Sequence, residues 1–210
     1  MIDGIILDVD GTIWNTTSVV ANAWNNAIDK LFPQIPHVSA DILKGQFGKT
    51  MDVIADNLFN LISAKDRKIL IDECCIEEHI AIKNNEIDIT YPDVVSTIKK
   101  LAESFPIFIV SNCQSGYIEL VMEKNKIKEY IKDFECFGNT LKTKDENIKL
   151  IIERNSLRNP VYVGDTQGDY EACIKSNVKF IWASYGFGHP DDNNYFLKIE
   201  KFSDLLKLID

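Results

Sequence analysis

The sequence predicts an α/β protein, a doubly wound parallel sheet interrupted after its first strand by an all-helical block. Three observations predict it. Short β-branched apolar runs recur along the chain, each closed by polar residues. Helical patterns alternate with those runs through the second half. A stretch from about 16 to 87 carries helical patterns and no convincing strand. Alternating strands and helices imply a parallel sheet with helices on both faces.

The first run, Ile2-Asp3-Gly4-Ile5-Ile6-Leu7-Asp8-Val9, suits a strand buried on both faces. The helical block follows, with segments expected near 17–31, 39–44, 50–62 and 65–84, divided by Phe32-Pro33-Gln34-Ile35-Pro36 and Gly45-Gln46-Phe47-Gly48. A helix over 93–104 places Val94, Val95, Ile98, Leu101 and Ala102 on one stripe. Strands are expected at 106–110, 160–163 and 178–182, with a weaker one at 134–137. Helices at 115–125, 145–155 and 169–176 separate them.

The 210 residues suffice for one sizeable core or a core plus a small second unit. A net charge of -9 repels nucleic-acid backbones and anionic lipid headgroups, so neither is an expected partner. Any phosphate site must then be locally positive. Five cysteines without a CxxC pair read as reduced thiols, Cys113 alone lying beside a motif. An apolar run too short for a membrane span and a strand starting at once, leaving no room for a signal peptide, predict a cytoplasmic protein. A monomer or weak homodimer is compatible with its acidic character.

Polar residues gather at the carboxyl ends of the strands, where open α/β sheets bind ligands. The first strand delivers Asp8-Val9-Asp10-Gly11-Thr12. Strand alternation points Asp8 and Asp10 the same way, and two carboxylates in one site call for a cation or a shared proton. Gly11 allows a turn that brings backbone N–H groups toward a ligand; a simple Asp-Gly turn is the rival reading. Ser111 and Asn112 supply donors after the second strand, and Gly164-Asp165-Thr166-Gln167-Gly168-Asp169 supplies two more carboxylates. Carboxylates without clustered His or Cys favour a hard cation, chiefly Mg²⁺. Lys142 and Lys144 stand just before a later helix.

Together, Asp-x-Asp-Gly-Thr, Ser, Lys and Gly-Asp-x-x-x-Asp, in this order, resemble the four motifs of the haloacid dehalogenase superfamily. The resemblance spans nearly the whole chain. The helical insertion resembles the cap of the subfamily that includes phosphoglycolate phosphatases and β-phosphoglucomutases. This implies a Rossmann-like core domain over 1–15 and 88–210, a helical cap over 16–87, and hydrolysis of a small phosphorylated metabolite. Asp8 is then the expected nucleophile and Asp10 the general acid and base. Mg²⁺ is expected on Asp8, the Asp10 carbonyl and Asp165, with Asp169 beside it, direct or through water. Ser111, Gly11, Thr12 and Asn112 are expected near the phosphoryl group, and a lysine offsets its charge. Lys144 is favoured over Lys142, although the proline that often follows this lysine in relatives is absent.

Three departures from the pattern matter. Asn15 stands where many relatives carry Asp. Val20 stands where mutases carry a histidine, which weighs against a sugar phosphate mutase. Asp10 and Thr12 argue against metal-free dehalogenation. A catalytically inactive binding protein of the same fold is the further alternative. Within the insertion, Lys44-Gly45-Gln46-Phe47-Gly48-Lys49 reads either as a specificity loop whose two lysines, Lys44 and Lys49, meet a second anionic group or as a plain interhelix loop. Trp14 and Trp24 read as packing residues.

Overall fold

A computed structural model describes residues 1–209. Six strands form one parallel sheet: β1 (Ile5–Leu7), β2 (Ile107–Ser111), β3 (Ile131–Cys136), β4 (Val161–Gly164), β5 (Lys179–Ala183) and β6 (Leu197–Ile199), in the order β3-β2-β1-β4-β5-β6. Every residue of β1, β2 and β4 is buried, as apolar runs covered on both faces require. Leu7 lies opposite both Ile109 and Val163, so β2 and β4 run slightly past the end of β1, and β1 sits where the strand order reverses. That is the place where an open α/β sheet leaves a crevice.

Helices α1 (Thr17–Leu31), α2 (Ala40–Lys44), α3 (Met51–Leu58) and α4 (Ala64–Asn84) all fall between β1 and β2 in the chain. They share an apolar core built from Val20, Trp24, Ala27 and Ile28 of α1 with Leu70, Ile71 and Cys74 of α4. Trp24 meets Phe59 and Trp14 meets Tyr117 edge-on, so both tryptophans pack. Both also donate through the indole N–H, which the packing expectation omitted.

The remaining helices are α5 (Val94–Ala102), α6 (Tyr117–Lys124), α7 (Phe137–Thr140), α8 (Lys144–Asn155) and α9 (Gln167–Ser176). Several short elements differ from expectation in kind, including 3-10 turns at Lys128–Tyr130 and Phe202–Leu208. The short α7 and the edge strand β6 have no counterpart in the expected pattern, because four and three residues are too few for a periodic signal. The expected helix over 50–62 stops at Leu58, where the Phe59 N–H closes the last turn on Ala55 O. The helix expected from 169 starts at Gln167, because Thr166 caps it and Asp169 completes a capping box.

No helix among the described residues is long and apolar enough to cross a membrane. The five cysteines are free thiols, four of them buried.

Candidate active site

Asp8 follows directly on β1, and its N–H donates to Val163 O at 2.9 Å, which fixes it between β1 and β4. Its carboxylate is 2% exposed and receives Lys144 Nζ at 2.9 Å on Oδ1. The same ammonium bonds Asp169 Oδ1, so one buried cation joins two buried carboxylates. Lys142 is exposed. The difference arises at the start of α8: the Thr143–Glu146 capping box sets the first turn, and Lys144 is the residue it turns inward.

Burial pushes the Asp8 carboxyl up to about 7, opposed by Lys144. Burial also disfavours charge on Asp169, yet Lys144 and donors from Thr166 hold it below the ordinary range. The Lys144 ammonium loses solvation, but Asp169 and Asp8 more than restore it and keep the lysine charged.

Asp10 is held by a single oxygen. Its Oδ1 accepts from Trp14 Nε1 at 3.0 Å, Thr16 Oγ1 at 3.0 Å and Tyr117 Oη at 2.9 Å. Burial nevertheless raises its carboxyl to about 6. With Oδ1 committed to three donors, any proton the group carries belongs on Oδ2.

Asp165 and Asp169 close the site from the end of β4. Asp169 Oδ2 accepts from the backbone of Asp165 and Thr166 and from Thr166 Oγ1, at 3.1, 2.9 and 2.8 Å. Both Asp169 oxygens are thus engaged, and its direct work is to anchor Lys144 and the start of α9. Asp165 is different: Oδ2 accepts from Phe187 N–H, whereas Oδ1 is buried without a partner. Its side chain lies in a cradle of two glycines. A Cβ on Gly11 would stand 2.2 Å from Asp165 Oδ2, and one on Gly186 would stand 2.3 Å from Asp165 Cβ.

Carboxylate oxygens of Asp8, Asp165 and Asp169 lie within 4.8 Å of one another, all buried. Burial, together with the neighbouring Asp169 and Asp8, lifts the Asp165 carboxyl well above its usual range. One lysine does not balance this set. An oxygen-only donor set with an orphaned carboxylate oxygen fits a hard divalent cation.

A small, open-mouthed cavity lies against Asp8; Lys144, Asp165 and Asp169 do not line it. Asp8, Asp10, Ser111, Asn112 and Lys49 line it, so the structure brings these expected site residues together. Asn112 does so while donating to Gly48 O at 2.8 Å, which ties the loop after α2 to the sheet. Lys49 stands exposed, its ammonium resting on Gly45 O and Gln46 Oε1.

Gly11 and Thr12 do not line the cavity. Their amides are spent inside the turn, Gly11 N–H on Trp14 O and Thr12 N–H on Val9 O, and the Thr12 side chain is wholly buried. Gly11, at φ +84°, serves the turn and the approach of Asp165. Sequence reasoning also passed over Tyr117, Gln114 and Glu78, which line the cavity too.

A model of the haloacid dehalogenase-like hydrolase family matches residues 5–183. The chain belongs to that family. Among solved structures, a predicted phosphoglycolate phosphatase from Haemophilus somnus is similar to it, with a TM-score of 0.88 and 18% identity over 100% of this chain and 98% of the other. A predicted phosphatase from Clostridium acetobutylicum is similar with a TM-score of 0.83 and 16% identity, over 100% and 98%. A haloacid dehalogenase-like hydrolase from Streptococcus pneumoniae gives 0.81 and 16%, over 100% and 99%. These likenesses describe the fold of a family member whose sequence has diverged widely from theirs. No curated protein sequence matches the chain significantly.

Proposed function

We propose that the protein is a Mg²⁺-dependent phosphatase that hydrolyses a small phosphorylated metabolite through an aspartyl-phosphate on Asp8. The observation that carries this reading is the buried Asp8 carboxylate, paired with Lys144, at the floor of a cavity that Asp10 and Ser111 also line. Family membership and the phosphatase descriptions of structural neighbours support the same reaction class.

In this reading an Asp8 oxygen attacks phosphorus in line as the bond to the leaving oxygen breaks. Asp10, protonated on Oδ2, gives that proton to the leaving alcohol. It then takes a proton from the water that attacks the phosphoenzyme, and the Asp8–phosphorus bond breaks to release phosphate. Burial suits Asp10 to both roles, since a carboxyl near 6 can hold a proton close to neutrality and return it. Ser111 donates to a phosphoryl oxygen, and Lys144 offsets charge on nucleophile and phosphoryl group. Asp8, Asp165 and the Asp10 carbonyl would hold Mg²⁺, with Asp169 behind them. The cation would supply charge neutralisation between nucleophile and phosphoryl oxygen.

Residues 16–87 act as a cap that selects the leaving group, and 1–15 with 88–210 carry the chemistry. Val20 is buried among apolar neighbours and offers no acid or base to hold a phosphoenzyme for a second sugar. Net hydrolysis therefore stands ahead of phosphoryl exchange.

The test is release of phosphate from an aryl phosphate with Mg²⁺ present and after chelation. Turnover that needs Mg²⁺ and falls on the order of 10⁴-fold in Asp8→Asn is expected. An inactive wild type would identify a binding protein of this fold. Interconversion of sugar phosphates without phosphate release would identify a mutase.

A further inference from the structure

Glu78 occupies a place where a carboxylate is costly. It lies on α4 in the buried row Leu70, Cys74, Glu78, Ile82, at the spacing that turns one helix face inward. The residue is 3% exposed. Its Oε2 accepts from Trp24 Nε1 at 2.8 Å and its Oε1 from Gln114 Nε2 at 3.0 Å. Both donors are neutral, and no ion pair among the described residues includes Glu78.

Burying a carboxylate without a cation costs several kcal/mol that a glutamine of the same shape would avoid. Two donors leave about half of the lone pairs of a carboxylate unused. The side chain lines the same cavity as Asp8, Asp10 and Ser111, opposite the strand ends. Glu78 also lies close enough to Asp10 for the two charges to repel. A costly, underused acceptor facing the reacting groups points to a ligand that supplies the missing donor.

We propose that Glu78 sets the specificity of the site by accepting a hydrogen bond from a hydroxyl or ammonium group on the leaving alcohol, and that it excludes leaving groups bearing a carboxylate. This rests on the phosphatase reading and names its substrate class: phosphate esters of polyols or amino alcohols. Lys49 does not reverse the preference, because it stands exposed on Gly45 O and Gln46 Oε1 while Glu78 is buried at the inner wall.

Three esters, compared at pH 8 where Glu78 is ionised, separate the possibilities: glycerol 3-phosphate, phosphoethanolamine and phosphoglycolate. Wild type is expected to show kcat/KM at least about tenfold higher for one or both of the first two than for the third, the scale of one hydrogen bond to a charged group. Glu78→Gln keeps the shape: its oxygen can stay on Trp24, and its amide can donate to a flipped Gln114. The preference ratio should shift at least tenfold toward phosphoglycolate in this variant. Glu78→Asp, which keeps the charge, should retain the wild-type direction. A larger loss for phosphoethanolamine than for glycerol 3-phosphate assigns the donor as ammonium, and the reverse assigns hydroxyl.

Wild type that prefers phosphoglycolate, or a folded Glu78→Gln whose ratio stays within twofold of wild type, would overturn the proposal. Turnover without discrimination sinks this inference alone, whereas no turnover of any ester sinks the phosphatase reading with it.

Discussion

Two regions of the site handle buried charge differently: Lys144 pairs part of it at the floor, whereas only neutral donors meet Glu78 at the roof. On the floor, Asp8 and Asp169 share the Lys144 ammonium, and Asp169 takes three further donors from Asp165 and Thr166. On the roof, Glu78 rests on two neutral donors only. Asp8 and Asp165 follow the adjacent strands β1 and β4, so the sheet register fixes their spacing, and the first turns of α8 and α9 bring Lys144 and Asp169 to them. The roof meets the core through Asn112 to Gly48, Gln114 to Glu78, the Phe47–Phe187 contact and Lys124 on the Lys83 and Asn85 carbonyls.

The largest stability effect is expected where that compensation is broken. Lys144→Met removes the shared cation and leaves Asp8 and Asp169 buried without it. A loss of about 3–5 kcal/mol is expected in metal-free urea denaturation, and Mg²⁺ should return part of it by mass action. A loss below about 1 kcal/mol would mean that the floor is not held by its charges, and the contrast would fail.

The roof gives the opposite sign. Burial raises the Glu78 carboxyl from 4.5 to about 7. Between those values the folded state keeps a proton that the unfolded chain has released, so stability falls as pH rises through the window. The cost is absent below about 4.5 and complete above about 7, on the order of 3 kcal/mol at most. Glu78→Gln should therefore match wild type near pH 4.5 and exceed it in stability at pH 8, followed as the difference in Tm. A variant less stable than wild type at pH 8 would show that Glu78 is compensated after all.

What was legible in the sequence follows the same division. Asp8, Ser111 and Asp165 end apolar runs, and a run that ends in a polar residue both identifies a buried strand and places that residue at its mouth. Sequence favours Lys144 over Lys142 for its place at the helix start, and the structure adds the Thr143–Glu146 cap that turns it inward. Glu78 was not read because a helix stripe is recognised by its apolar members, and its one acid looks like an interruption. The telling sign was its spacing from Cys74 and Ile82. For Gly11 and Thr12 sequence shows a turn, and only the backbone shows that the turn uses both of their amides. The edge strand β6, with one fully buried residue in three, has no alternation to detect.

Tyr117 tests the boundary between the two regions. It stands on α6, 2% exposed, with its ring edge against Trp14 at 5.6 Å and its hydroxyl on Asp10 Oδ1 at 2.9 Å. Tyr117→Phe preserves the shape and removes one of three donors to that oxygen, a net effect of about 0.5–1.5 kcal/mol. If those donors serve to aim Oδ2 at the leaving group, kcat for an alkyl phosphate should fall roughly three- to tenfold. The loss should be smaller for a p-nitrophenyl ester, whose leaving oxygen needs little help from a proton. Equal losses on both esters would assign Tyr117 to packing. A selective loss on the alkyl ester extends the floor through the third donor of Asp10, so the machinery for proton transfer ends at Tyr117 and selection begins at Gln114 and Glu78.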